Sequence, residues 1–253
     1  MGGEPSAAFL SLALPADLQQ KWVDEFINGL LELAGRFKVE LAGGDIAESP
    51  HGVLADIMVM GTVPSGKAIL RSTAQPGDRL FVTGELGGPS FVLAEMFQQP
   101  KKKWKPQTYP SHFYPEPQLA VARYLRDKGI ASAMIDISDG LSTDLAHICN
   151  ESGVGATVHE TAVPRATVGR HEVGLTFALH GGDEYQLLFT SPQGKRVPSE
   201  IAGVPVTHIG YVTPERELML EHDNRYATEL LPEGWEHFGS DRLSAARMKR
   251  RRR

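Results

Sequence analysis

Three aspartates stand beside or shortly before glycines where the pattern predicts that an apolar strand ends. Asp45 closes Leu-Ala-Gly-Gly-Asp, and Asp136 and Asp139 lie in Met-Ile-Asp-Ile-Ser-Asp-Gly-Leu. A carboxylate within an apolar strand is costly unless it is paired or bound to a metal. Mg²⁺ takes oxygen ligands, and proteins usually hold it with one or two carboxylates together with substrate phosphates. The pattern therefore favours a site for magnesium and phosphate, to which Ser138 would add a hydroxyl.

A simpler interpretation stays open for the same segment. A helix is predicted after Gly140, so Asp139 could serve only as its cap while Asp136 pairs with an arginine. In favour of the metal and phosphate site, the start of that helix would offer free backbone N–H groups to a phosphate. The residue types alone favour the metal and phosphate site only slightly over this structural explanation.

A second acidic cluster follows a pair of glycines. Asp183 and Glu184 stand between Gly-Gly and an apolar strand, which indicates a turn that directs carboxylates at a ligand. The letters Gly-Gly-Asp-Glu-Tyr resemble the Gly-Gly-Asp-Glu-Phe signature of diguanylate cyclases. The upstream aspartate-rich strand and the Phe-Lys and Asn-Asp segment of those cyclases have no match here, so that interpretation is set aside.

Composition excludes several classes of protein. The 253 residues are 41% apolar and 23% charged with a single cysteine, which is globular composition and leaves no disulfide framework. The lone Cys149 cannot form an internal bridge, so we expect a protein of the reducing cytoplasm. We also expect that it does not enter a membrane, since no apolar run approaches the ~18 residues of a membrane span. His-Glu-x-x-His, the Gly-rich phosphate loop ending in Lys-Ser/Thr and the Gly-x-Ser-x-Gly elbow do not occur in the sequence.

The charge is distributed unevenly along the chain. The net charge is −5, but residues 240–253 carry seven Lys and Arg against one acid, which leaves −11 on residues 1–239. We expect the tail to be disordered and solvated. An acidic body binds nucleic acid poorly but suits a protein that collects metal cations, so a nucleic-acid partner is not predicted.

Strands and helices alternate imperfectly, which predicts an α+β (mixed α/β) protein with a mixed sheet. Ala7–Leu14 is predicted as a buried strand and Asp17–Phe37 as a helix capped by Asp17. The longer strand Leu54–Val63 is apolar at nearly every position, so both of its faces should be covered. Gln98–Pro117 should form an irregular surface segment, because it contains five prolines and a lysine run.

Taken in order, these clusters resemble the thiamine-monophosphate kinase family, which belongs to the superfamily of aminoimidazole ribonucleotide synthetase. Ile-Asp-Ile-Ser-Asp-Gly-Leu followed by a Gly-Gly-acid-acid-Tyr block is specific in combination, although each motif alone is weak. The matching stretches are Met1–Pro15, Leu41–Asp45, Leu70–Asp78, Val82–Gly84, His112–Pro117, Ile135–Leu145, Leu179–Phe189 and Gly234–Phe238.

The resemblance implies an activity and a set of site residues. The family phosphorylates thiamine monophosphate to thiamine diphosphate with ATP and several Mg²⁺ ions, and it is homodimeric through its N-terminal domain. Three residues would be Mg²⁺ ligands, namely Asp45, Asp136 and Asp139. ATP would be contacted by Gly44, Asp45, Arg71 and Ser138. Substrate would be bound by the acidic pair Asp183 and Glu184 and by the C-terminal aromatics Trp235 and Phe238.

The sequence also departs from the family pattern. Ile46 stands where the family has Thr, Asp183-Glu184 replaces the usual Glu-Asp, and Tyr114 and Gln118 replace two arginines. The family's first strands and helix, with further metal and ATP motifs, would precede Met1. The resemblance therefore implies a two-domain fold of the aminoimidazole ribonucleotide synthetase type whose N-terminal domain is incomplete.

Three segments follow from this interpretation. Residues 1–66 are predicted as a partial ATP- and Mg-binding domain, 67–239 as a C-terminal domain and 240–253 as the basic tail. Two alternatives to an active kinase stay open: another ATP-using synthetase of the same superfamily, and a non-catalytic fragment that binds ATP or thiamine phosphate.

Overall fold

The computed structural model describes residues 1–236. These residues form two compact units: Gly2–Ala68 is the first, and Met1 with the described residues from Ile69 onward is the second. The division falls next to the predicted domain boundary between residues 66 and 67. Phe238 and the predicted basic tail lie outside the described residues.

The first unit is a three-stranded sheet with one long helix. Its elements are β1 (Glu4–Leu14), α1 (Gln20–Arg36), β2 (Glu40–Glu48) and β3 (Leu54–Thr62). The strand order is β2-β1-β3, with β2 parallel and β3 antiparallel to the central β1. Ala8, Leu10 and Leu12 are buried, as the two-residue period of a strand requires when one face is covered.

Three expectations for the first unit were wrong. α1 begins at Gln20 after an extended Gln19 without a side-chain cap, so Asp17 does not cap it. β2 continues through the glycine pair, so Asp45 lies within a strand opposite Ser11 and not at a strand end. β3, an edge strand of this three-stranded sheet, is exposed at every position, so its two faces are not covered as predicted. The apolar sequence of β3 indicates that the strand prefers burial, but the described residues of this unit do not pack over its faces.

The second unit is built on an eight-stranded sheet in the order β13-β12-β6-β11-β4-β9-β5, with β10 paired to β11. The unit also contains a separate two-stranded sheet, formed by β7 and β8. The strands of the unit are β4 (Arg79–Thr83), β5 (Ala133–Ile137), β6 (Gly155–His159), β7 (Thr167–Val168), β8 (His171–Glu172), β9 (Gln186–Ser191), β10 (Glu200–Ile201), β11 (Val204–Thr213), β12 (Leu218–Glu221) and β13 (Ala227–Glu229). Its helices are α2 (Gly88–Gln98), α3 (Pro110–Phe113), α4 (Leu119–Asp127), α5 (Leu141–Ser152) and α6 (Leu175–His180). β6 and β12 are parallel and the other neighbours antiparallel, so the predicted mixed sheet is confirmed.

Each face of this sheet has its own hydrophobic core. On β5, Ile135 and Ile137 join a cluster with residues of α5 and α6, whereas Met134 points to the other face and packs with α4. α5 starts four residues after β5 ends, and both are anchored in the first core. The short segment between them, which contains Ser138 and Asp139, is therefore held at both of its ends.

The predicted irregular segment contains the short helix α3 and a single 3-10 turn at Pro106–Thr108. In residues 1–236, none of the helices combines the length and the apolar character needed to cross a bilayer.

Candidate functional site

A cavity of about 920 Å³ opens in the second unit. Its lining residues come from four places: the segment after β5, helix α2, the end of α6 with the turn that follows, and residues 233–235. The Ile-Ser-Asp-Gly segment and the Gly-Gly-Asp-Glu-Tyr turn, which lie far apart in the sequence, thus meet at one cavity. Ser138, Asp139, Asp183 and Trp235 all line it.

A buried carboxylate holds the segment after β5. Oδ2 of Asp144, on the first turn of α5, accepts the backbone N–H groups of Ser138, Asp139 and Gly140 at 3.1, 3.0 and 3.1 Å. Burial raises the pKa of Asp144 to about 6, while these N–H groups act in the opposite direction. The backbone of Asp139 is therefore fixed without use of its own side chain, which lines the cavity.

Sequence reasoning missed Asp144. The signal was an acid on a helix face whose neighbours Leu141, Leu145 and Ile148 are all fully buried. A carboxylate at such a position needs hydrogen-bond donors, and the unpaired N–H groups at the start of the same helix are the nearest ones.

The glycine-pair turn is joined to the end of β5 by backbone hydrogen bonds. The N–H of Asp183 donates to the carbonyl of Ser138, and the N–H of Tyr185 donates to that of Ile137, both at 2.8 Å. Asp183 and Tyr185 have φ of 63° and 53°, a left-handed conformation that non-glycine residues adopt rarely and often at functional sites. The Tyr185 hydroxyl donates to Oδ1 of Asp183 at 3.1 Å and so orients this carboxylate at the cavity.

The two neighbouring acids have different environments. Asp183 is exposed to the cavity, whereas Glu184 is 5% exposed and lies outside its lining. Oε1 of Glu184 accepts the N–H of Gly87 at 2.6 Å, and burial raises the pKa of Glu184 to about 8. The geometry thus favours Asp183 as the acid that faces a ligand, with Glu184 anchoring the loop ahead of α2.

The chain returns to this cavity at residues 233–235. The N–H of Trp235 donates to the carbonyl of Asp139 at 2.8 Å, and the N–H of Gly234 donates to Oγ1 of Thr143 at 3.0 Å. A Cβ on Gly234 would lie 2.1 Å from the Asp139 carbonyl oxygen, so only glycine permits this approach. The indole of Trp235, 48% exposed, forms part of the cavity wall.

Gly181→Ala is expected to destabilise the protein by about 2 kcal/mol. A Cβ at this position would lie 2.4 Å from the carbonyl oxygen of Phe177, a backbone atom that cannot rotate away, and 2.0 Å from Oγ of Ser90. Urea unfolding followed by circular dichroism measures the change. Gly194→Ala is the matched control because a Cβ there meets nothing within 4 Å. Equal stability of the two variants would contradict the predicted close approach.

The remaining predicted residues lie in different places. Asp136 is partly exposed on β5, an edge strand of the large sheet. The pKa of the Met1 amino group is lowered, first by burial and then by Arg71, while Asp136 raises it, so Arg71 and Asp136 lie near the same group. Gly44 and Asp45 lie on β2 of the first unit.

The acidic residues of the second unit fit a hard cation. Asp136 and Asp139 form no ion pair with any residue in 1–236, and both offer carboxylate oxygens, the ligands that Mg²⁺ prefers. Ligand atoms of Asp139, Asp144 and His147 lie within 4.8 Å of one another. Asp144 is already occupied by three N–H groups and positions its neighbours, so Asp136 and Asp139 are the better candidates for metal binding.

Family models identify the class of protein. The N-terminal domain model of the AIR synthase related proteins matches residues 1–63, and the C-terminal domain model matches residues 75–223. The chain is therefore an AIR synthase related protein, which confirms the predicted fold class.

Individual relatives narrow this class. A thiamine-monophosphate kinase of Escherichia coli K12 is 34% identical over 252 residues, covering 95% of this chain and 76% of the relative. A thiamine-monophosphate kinase of Salmonella typhimurium is 36% identical over 228 residues, covering 86% of this chain and 69% of the relative. The solved structure described as "AaThiL complexed with AMPPCP and TMP" matches at 29% identity and a TM-score of 0.79, covering 94% of this chain and 75% of that one. The chain belongs to the thiamine-monophosphate kinase family, which confirms the resemblance carried by its motifs.

Proposed function

We propose that this chain transfers the terminal phosphoryl group of ATP to the phosphate of thiamine monophosphate, forming thiamine diphosphate and ADP. The observation that carries the proposal is the cavity at which the Asp139 segment, the Asp183 turn and Trp235 meet. The relatives named above as thiamine-monophosphate kinases, and the solved structure with AMPPCP and TMP, support the same activity.

The cavity suits the chemistry of thiamine. Thiamine carries a cationic thiazolium ring, and the cavity lining includes the aromatic residue Trp235 and the acidic residues Asp183 and Glu233. A cation over an indole face gains about 0.5–2 kcal/mol, and nearby carboxylates add to the attraction. Phe238 is proposed as a second aromatic contact, on the resemblance alone.

The proposal includes Mg²⁺, for which Asp136 and Asp139 of the second unit would be ligands. Asp45 of the first unit is proposed as a metal ligand on the resemblance alone. Bound Mg²⁺ would neutralise the charge of the transferring phosphoryl group, which is the main requirement of this reaction. The protein needs no nucleophile of its own, because the phosphate of the substrate is the acceptor. Ser138 and Arg71 of the second unit are proposed to contact ATP, and the anchored backbone at 138–140 would keep Ser138 in a fixed position. Gly44 of the first unit is proposed as an ATP contact on the resemblance alone.

A homodimer in the cytoplasm is also proposed. Met58, Val59 and Met60 of the edge strand β3 are each more than half exposed, and an exposed apolar edge is typical of a surface that another chain covers. Cys149, the single cysteine, is buried, which suits a reducing compartment. Light scattering coupled to size exclusion tests the dimer, and a monomeric mass would contradict it.

The experiment for the activity uses the purified chain with ATP, MgCl₂ and thiamine monophosphate. We expect ADP release together with thiamine diphosphate, measured by chromatography of the fluorescent thiochrome derivatives. Phosphorylation of another acceptor while thiamine monophosphate stays unchanged would support a different synthetase of the superfamily. Calorimetric binding of Mg-ATP without turnover would support a non-catalytic binding protein.

A further inference from the structure

His180 is a cavity residue to which the proposed reaction gives no role. It is the last residue of α6 and lines the cavity, and its side chain is 17% exposed. Its ring is anchored at one nitrogen, since Nδ1 lies 2.9 Å from Oγ of the fully buried Ser142 on α5. Its backbone lies close to Gly140, where a Cβ would be 2.8 Å from the His180 carbonyl oxygen. The imidazole is thus held in one orientation.

The other nitrogen of this ring is directed toward the carboxylate of Glu233, a second residue of the cavity wall. Nε2 lies 3.9 Å from Oε2 of Glu233, too far for a direct hydrogen bond. The nearby carboxylate favours the tautomer with the proton on Nε2, in which the Ser142 hydroxyl donates to Nδ1. Burial lowers the pKa of His180, with Glu233 acting in the opposite direction, so the ring is neutral at neutral pH. The cavity wall therefore presents an N–H donor beside a carboxylate acceptor.

An aminopyrimidine has the complementary edge. It offers a ring nitrogen that accepts a hydrogen bond next to an exocyclic amino group that donates one. Thiamine monophosphate contains such a ring. The proposed function already assigns contacts to the other two parts of this substrate, the phosphate and the thiazolium. The N–H donor of His180 complements the ring nitrogen of the aminopyrimidine, and the carboxylate acceptor of Glu233 complements its amino group. Both residues line the cavity proposed to bind this substrate.

We infer that His180 is a specificity-determining residue that donates a hydrogen bond from Nε2 to a ring nitrogen of the substrate's aminopyrimidine, while Glu233 accepts one from its amino group. This inference rests on the proposed function. Ser142 acts through His180 as a positioning residue, because it fixes the tautomer and the direction of Nε2.

The test compares His180→Ala with His180→Gln, which retains an N–H donor on a side chain of similar reach. For His180→Ala we expect the KM for thiamine monophosphate to rise about tenfold, the loss of one well-placed hydrogen bond, with the KM for ATP unchanged. His180→Gln should recover most of this affinity. His171→Ala, which removes an exposed histidine of the same unit, should behave like the wild type.

A substrate analogue provides a readout that a structural role would not change. In the 4-oxo analogue of thiamine monophosphate, a ring N–H and a carbonyl replace the acceptor nitrogen and the amino group. The wild type should therefore discriminate against the analogue, and His180→Ala should reduce this discrimination by about tenfold. Ser142→Ala should reduce it as well, by a smaller factor.

The outcomes separate this inference from the proposed function. Binding is also measured by tryptophan fluorescence titration with thiamine monophosphate, which requires no turnover. If the wild type neither phosphorylates nor binds thiamine monophosphate, the proposed function is wrong and the inference with it. If the wild type does either, but His180→Ala keeps its affinity and its discrimination against the analogue, only the role of His180 is wrong.

Discussion

Asp139→Asn is expected to lower kcat for thiamine diphosphate formation by at least about 100-fold, the usual effect of removing one group that stabilises charge in a transition state. The substitution keeps the shape of the side chain and removes one negative charge from the cavity wall. The fold should survive, because the loop is held through the backbone N–H of Asp139, which Asp144 accepts at 3.0 Å. The loss would therefore report on the carboxylate itself.

A magnesium titration makes this result specific. If Asp139 binds the cation, Asp139→Asn should require a higher MgCl₂ concentration for half-maximal rate, whereas a purely structural residue would alter the rate at every concentration alike. Asp223→Asn, which removes an exposed carboxylate from a turn of the same unit, is the matched control and should match the wild type. Activity within a few-fold of the wild type at low MgCl₂ would mean that Asp139 is only a structural residue of the loop.

The β5–α5 segment shows what the sequence could predict. An apolar strand, a glycine and an apolar helix face follow one another directly, so the placement of Ser138 and Asp139 at the junction depends only on local patterns. Asp144 and its partners are also close in the sequence. The partners are backbone N–H groups, however, so no residue type in the sequence indicates that Asp144 is buried and hydrogen-bonded. The role of Asp144 became clear only from its three hydrogen bonds.

The acidic pair shows why other features could not be predicted. Whether Asp183 or Glu184 faces the cavity depends on the left-handed φ of 63° at Asp183 and on the pairing of this turn with β5, a contact between residues far apart in sequence. Propensity gives no indication of either. The prediction that both faces of β3 are covered was wrong for a related reason. An apolar run indicates that a strand prefers to be buried, but it does not indicate which residues would pack against the strand. The meeting of His180 with Ser142 likewise depends on how α6 and α5 pack on the sheet.

Glu184→Gln is expected to leave stability nearly unchanged at pH 5 and to make the protein more stable than the wild type by several kcal/mol at pH 8. The pKa of Glu184 rises from 4.5 to about 8 on folding, chiefly because of burial. Below pH 4.5 the carboxyl group is protonated in both the folded and the unfolded protein, so it contributes nothing to the pH dependence of stability. Between these values only the unfolded chain releases the proton, so the wild type loses about 1.4 kcal/mol of stability per pH unit. Glutamine carries no proton to release, and its side-chain oxygen can still accept the N–H of Gly87.

Urea unfolding at pH 5, 6.5 and 8 measures the difference between the two proteins, which should grow steadily with pH. Glu85→Gln removes an exposed carboxylate from the same loop and reports the effect of the charge change alone. A difference that is the same at all three pH values would mean that Glu184 is ionised in the folded protein. Its bond to Gly87 would then be a charge-assisted one, and Glu184→Gln would weaken the anchor of α2 at every pH.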